Sequence, residues 1–239
     1  MPLLDHFTEP VPLPRQWESF HTYWAAAIGG SLNRTLPDRF FAAVTVHPGG
    51  RVEADVAEFD RGPEPLGNGA GGGVALETYA PPAATVVLDA VFPDDVQVPI
   101  IDQHHDGRLA AVIELISPSN KQDPVARRTF AGECAAYLAK GVGVVVVDPV
   151  FTMRFNLHDE LIDLVRHPVT ERAPTGAWAY SAAYRPARRD DRNLIDAWIE
   201  PMAIGTRLPT MPLALLGWAT IALDLEETYL EVCRLCRLV

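Results

Sequence analysis

The chain has 239 residues, with 31 acidic and 20 basic side chains, a formal net charge of −11, and hydrophobic residues making up 48% of the total. This composition excludes a disordered or collagen-like chain and disfavours a protein that coats nucleic acid through a broad basic face. A chain of this size buries roughly 70% of its unfolded surface, so one large domain or two small ones can be supported.

The N-terminus lacks the basic stretch and apolar run of a signal peptide. The longest apolar run, 142–147, is far too short to span a membrane. Cys134, Cys233 and Cys236 are too few, and odd in number, for a disulfide framework. A cytoplasmic protein with no membrane contact is expected.

Residues 17–32 predict an amphipathic helix, because Trp17, Phe20, Trp24, Ile28 and Leu32 recur at spacings of three and four. Two strands are predicted over 40–47 and 51–59, around a turn at Pro48-Gly49-Gly50. Residues 61–73 are a Gly- and Pro-rich loop. Strands over 85–92 and 96–102 lead to Asp106-Gly107, a hairpin signal opening a strand over 109–116. Pro124 and Gly141 bracket a helix over 124–140. The run 143–148 (GVVVVD) predicts a strand buried on both faces. In the C-terminal third, a short helix is predicted over 157–165. Strands follow over 178–184 and 194–204, then an extended segment over 207–215 and a helix over 222–238. The order describes an α/β fold with a mixed sheet flanked by helices, in a single domain, and not a doubly wound repeat.

Several motifs carry little chemistry. Gly67–Gly72 spells G-x-G-x-x-G but lacks the strand before it and the helix after it that a dinucleotide site requires. Cys233 and Cys236 lie within a predicted helix, with neither a helix N-terminus to activate a thiol nor two further zinc ligands nearby. His104-His105-Asp106 occupies a turn, where adjacent side chains diverge. Residues 185–192 (RPARRDDR) read as a solvated loop or as a phosphate-binding surface.

A distributed set is more informative. Asp55 lies in one predicted strand, and Glu114 in another that runs into Ser117-Pro118-Ser119-Asn120-Lys121. An ionisable side chain in the apolar stretch 109–116 needs a partner or a task. Two carboxylates at strand ends can hold a divalent metal through hard oxygen ligands, with a lysine to offset developing charge. Glu53, on the same strand face as Asp55, is a third candidate ligand. The alternative on spacing alone is a surface Asp55, with Glu114 paired to Lys121 or to an arginine.

Trp17-x-x-Phe20-His21, Leu36-Pro37, the block 113–121 (IELISPSNK), Leu208-Pro209-Thr210-Met211-Pro212 and Leu223-Asp224-Leu225 together resemble a bacterial family known as domain of unknown function 4058, across nearly the whole chain. The central block is also similar to the Uma-two branch of the PD-(D/E)XK nuclease superfamily. There a strand Asp precedes E-V-x-S-P-S, then a helix, then a strand ending V-D-P. The counterparts here are Asp55, Glu114 to Ser119, the helix to Tyr137, and Asp148-Pro149.

This resemblance implies a restriction-endonuclease-like core over about 15–160, with a C-terminal strand and helix extension over about 175–239. It implies Asp55 and Glu114 as metal carboxylates; joined to the residue reading, this gives Asp55, Glu114 and Lys121 as the expected catalytic residues, with Mg²⁺ or Mn²⁺ on Asp55, Glu114 and Glu53. His21, Ser117, Asn120 and Glu133 would surround them. A nucleic acid would bind through a local arginine surface, with a homodimer left open. The superfamily's motif lysine would fall at position 116, which is isoleucine, and the Uma-two helical lysine at position 133, which is glutamate. Metal-dependent phosphodiester hydrolysis and a non-catalytic binding module therefore both remain open.

Overall fold

The structure, a computed structural model, describes residues 3–7, 14–46, 54–60, 80, 82–89, 108–165 and 177–238. Among these residues the fold has three layers around a seven-stranded mixed sheet. The chain runs α1 (Pro14–Thr35), β1 (Phe40–Val46), β2 (Ala54–Asp60), β3 (Val86–Asp89), β4 (Arg108–Leu115), α2 (Pro118–Lys121), α3 (Pro124–Ala139), β5 (Gly143–Asp148) and α4 (Leu157–Val165). It continues through β6 (Tyr180–Arg189), β7 (Arg192–Pro201), β8 (Thr210–Ala214), β9 (Thr220–Asp224) and α5 (Leu225–Leu235).

The sheet order is β1-β2-β4-β5-β6-β7-β3, with β8 and β9 forming a separate ribbon. Neighbours are antiparallel except β4 and β5. Parallel strands need a crossover, and α3 supplies it. Its start follows from chemistry visible in the sequence. Asp123 caps the helix by accepting a 2.8 Å bond from the Ala126 amide, Pro124 takes the first turn, and Gly141 follows the end at φ +83°.

The two sheet faces build separate cores. On one face Ile113, Leu115, Val145 and Val147 pack with α1, α5 and the β8–β9 ribbon. On the other, Val112, Ile116, Val144 and Val146 pack with α3 and α4. All six residues of β5 are buried, which explains its unbroken β-branched run.

Several boundaries differ from the sequence reading. The stretch 185–192 is no loop. Arg185–Arg189 continue β6 and pair with β7 through Arg189↔Arg192, across a turn whose Asp190 and Asp191 adopt φ of 51° and 57°. Two residues with positive φ suit the twist of a tight hairpin, and aspartate tolerates that conformation better than most side chains. The last helix begins at 225, not 222, because Thr220–Asp224 pair with β8 and Asp224 then caps the helix by accepting from the Glu227 amide. The C-terminal part is also no appendage: β6 and β7 extend the central sheet, and β3 closes its far edge against β7. The predicted strand over 96–102, the hairpin turn at 106–107 and the glycine loop over 61–73 lie outside the described residues. No helix among the described residues is long and apolar enough to cross a membrane.

Candidate functional site

Asp55 and Glu114, 59 positions apart, are direct Cα partners in the β2–β4 ladder. The intervening chain makes this possible because β3 leaves for the opposite edge of the sheet, so β2 and β4 meet directly. Glu114 is 4% exposed, is the next-to-last residue of a strand that after Arg108 is otherwise built from Leu, Ala, Val and Ile, and has Val146 as its parallel neighbour. Alternation along β4 places Glu114 on the face of Val112 and Ile116, the α3 side. Glu53 lies outside the described residues.

The residues after β4 are held by a local network. The Ile116 amide still donates to the Val147 carbonyl at 2.9 Å, and the chain then turns into α2. The Ser117 amide and hydroxyl both donate to Asn120 Oδ1, at 2.8 and 3.1 Å, and the Ser117 and Ser119 hydroxyls lie 2.5 Å apart. Ser117 and Asn120 thus shape the turn that ends the strand, which is a structural task.

Lys121 is placed differently from the expectation that it stands with Glu114 as a catalytic lysine. Its side chain is fully buried, and Nζ donates to Asp148 Oδ2 at 2.8 Å, to the Trp178 carbonyl at 2.9 Å and to the Val150 carbonyl at 3.3 Å. An ammonium has three N–H donors, so these acceptors use them all. Asp148 is also fully buried, and its other oxygen accepts from the Val150 amide at 3.1 Å. Burial raises the Asp148 carboxyl from 3.8 to about 6, against the opposing pull of Lys121. The sequence reading named Asp148 only as part of a resemblance. Its signal was a charged residue closing an otherwise aliphatic buried strand.

Two surrounding candidates also move. His21 is 4% exposed and donates from Nε2 to the Leu115 carbonyl at 2.7 Å, and its ring lies 5.4 Å from that of Trp17. It ties α1 to the end of β4 from the face opposite Glu114. Glu133 lies on the exposed side of α3. Among the described residues no cluster of three or more His, Cys, Asp or Glu side chains is arranged to hold a metal. Cys233 is buried within α5 and Cys236 caps that helix; burial raises both thiol pKa values, that of Cys233 to about 11.

The arginine stretch is largely engaged. Asp196, 1% exposed, accepts from Arg185 Nε at 3.1 Å and Nη2 at 2.6 Å, and also from Arg189. Arg188 makes a solvated 3.3 Å contact with Asp191.

Comparison of the chain with family models, with curated proteins and with solved structures returns no match.

Proposed function

We propose that this chain is a metal-dependent phosphodiesterase of nuclease-like architecture whose carboxylates are Asp55 and Glu114. The observation that carries this reading is their position as cross-strand partners, with Glu114 buried. Like charges at directly opposed ladder positions destabilise a sheet. A divalent cation shared by the pair would offset that repulsion, and two hard oxygen donors would suit Mg²⁺ or Mn²⁺. Asp55 and Glu114 would hold such an ion, whose chemistry there would be to activate a water and offset charge on the phosphate. Asp55, Glu114 and Asp148 also lie on the neighbouring sheet strands β2, β4 and β5, which supports the reading because the Uma-two-like motif carries its acidic residues on strands in that chain order, although β3 is inserted here between the first two.

Lys121 has no direct part in this chemistry. Its three donors are committed to Asp148, Val150 and Trp178, and its role is to hold the β5 exit against α2.

A second reading, a binding module that keeps the fold without the chemistry, is favoured by that same commitment of Lys121 and by Ile116. Ile116 stands fully buried where the motif lysine would fall.

Thermal melts with Mg²⁺ and Mn²⁺, run beside cleavage assays on plasmid, single-stranded DNA and RNA, separate the two. The catalytic reading expects a cation-dependent rise in Tm and divalent-dependent cleavage, with cleavage reduced at least 100-fold in E114Q and D55N. An unchanged Tm with no cleavage of any substrate rejects it and leaves the binding module.

A further inference from the structure

The β6–β7 hairpin runs on past β5. The β5–β6 ladder ends at Val144↔Tyr184, while β6 continues on β7 to Arg189↔Arg192. Register assigns the faces of this extension. Arg185 pairs with Asp196, Ala187 with Leu194 and Arg189 with Arg192, so these residues share one face, that of Ala183 and Trp198. Arg188 falls on the other face by alternation and contacts Asp191 of the turn at 3.3 Å. The remaining turn carboxylate, Asp190, is exposed.

On the first face two guanidinium groups converge on one carboxylate. Asp196 is 1% exposed, and its Oδ2 accepts from Arg185 Nε at 3.1 Å and Nη2 at 2.6 Å, while Arg189 Nη2 donates to both of its oxygens. Arg189 stands opposite Arg192, a like charge, and its side chain reaches back along the strand to Asp196. Both arginines bond to the same oxygen, so their donor nitrogens lie within roughly 6 Å of each other, two hydrogen-bond lengths. The Arg185 guanidinium also packs against the buried Trp198 ring, 5.2 Å from its centroid.

One carboxylate does not satisfy this pair. It carries one charge and the guanidiniums carry two, so one positive charge is in excess. Asp89 pairs with Leu194, a ladder position on the same face, and counting it together with Arg192 leaves the excess at one. Each guanidinium has five N–H donors, and the Nη1 groups of both, with Arg189 Nε, bond to nothing among the described residues. The two side chains are 39% and 44% exposed. A buried acid that holds two half-exposed arginines side by side prepares a receptor for a multiply charged oxyanion. Guanidinium forks match phosphate geometry, and side chains already fixed have little freedom left to lose on binding.

We propose that Arg185 and Arg189, held by Asp196, form a binding site for a phosphate group. The site stands on the sheet face opposite that of Glu114 and does not depend on the metal reading. The chain's net charge of −11 opposes any anion at long range, so recognition rests on these local groups and weakens with salt.

Titration of the full chain with inorganic phosphate and with glycerol 3-phosphate, followed by amide chemical shifts, tests the proposal. EDTA keeps metal from the carboxylate pair, and chloride at equal ionic strength is the blank. Saturable shifts in the β6–β7 hairpin are expected at millimolar phosphate and not with chloride. Affinity should fall at least fivefold in R185Q and in R189Q, and stay within twofold of the wild type in R188Q, whose side chain lies on the other face. R189Q leaves the Arg185–Asp196 bonds in place, and circular dichroism checks that each variant folds. Glycerol 3-phosphate binding at least as tightly as phosphate identifies a phosphate ester as the ligand, and binding of phosphate alone identifies the free ion. No saturable shift with either probe, full affinity in R189Q, or an equal loss in R188Q would each overturn the proposal.

Discussion

Lys121 and Asp148, 27 positions apart, form an ion pair at 2.8 Å in which neither side chain has any solvent exposure. Removing one charge from such a pair strands the other in a medium that cannot solvate it, typically at about 3–5 kcal/mol. Urea melts of K121M and of D148L should each show a loss of that order. The double variant K121M/D148L should lose much less than the sum, because both charges leave together. If K121M unfolded no more easily than the wild type while abolishing phosphodiester cleavage, Lys121 would belong to catalysis after all.

Asp148 and His6 set opposite pH dependences. Asp148 is raised from 3.8 to about 6 by burial, so the folded state holds its proton more tightly than the unfolded state. Its contribution is therefore largest below pH 3.8, declines as pH rises to about 6, and is flat above. His6, packed 4.2 Å from Phe20 and 2.8 Å from the Tyr229 hydroxyl, is lowered from 6.5 to about 4 by burial, against a weaker pull from Asp5. Its contribution is present above pH 6.5 and is lost as pH falls to about 4, at a cost of order 3 kcal/mol. Stability measured from pH 4 to 7 should show that H6Q loses less than the wild type on acidification. A parallel pair of profiles would count against His6.

Gly143 opens β5 where the β8–β9 ribbon crosses it. A Cβ at this position would lie 2.1 Å from the Ala214 carbonyl oxygen, a backbone atom that cannot swing aside. G143A should therefore cost about 3 kcal/mol or more, beyond the usual penalty of core overpacking. Gly132, whose added Cβ meets nothing within 4 Å, is the control, and there alanine should be neutral or stabilising as a better helix former. Chemical melts of the two variants check the contrast.

The opposition of Asp55 and Glu114 has a consequence without metal. With no cation bound, D55N removes one of two like charges at directly opposed ladder positions, so it should match or exceed wild-type stability by up to about 1 kcal/mol. In Mn²⁺ the order should reverse, because only the wild type gains the binding energy. Melts in EDTA and in Mn²⁺ provide the readout, and a variant less stable in both conditions would argue for a purely structural Asp55.

Much of the fold was legible along the chain, where local chemistry decides. The Trp17–Leu32 stripe, the Pro124 start and Gly141 stop of α3, and the aliphatic run of β5 each specify their element through residues close in sequence. The apolar setting of Glu114 likewise marked it as a residue needing compensation. Non-local pairing could not be read in this way. That β3 crosses to the far edge and lets Asp55 face Glu114, that Arg185–Arg189 form a strand because β7 offers them partners, and that Lys121 turns to Asp148 are all set by ladder register and by which charge shares the same dry interior. An ammonium next to a promising motif looks catalytic in one dimension. In three it goes where three acceptors satisfy it, because a buried charge without partners costs more than the fold can spare.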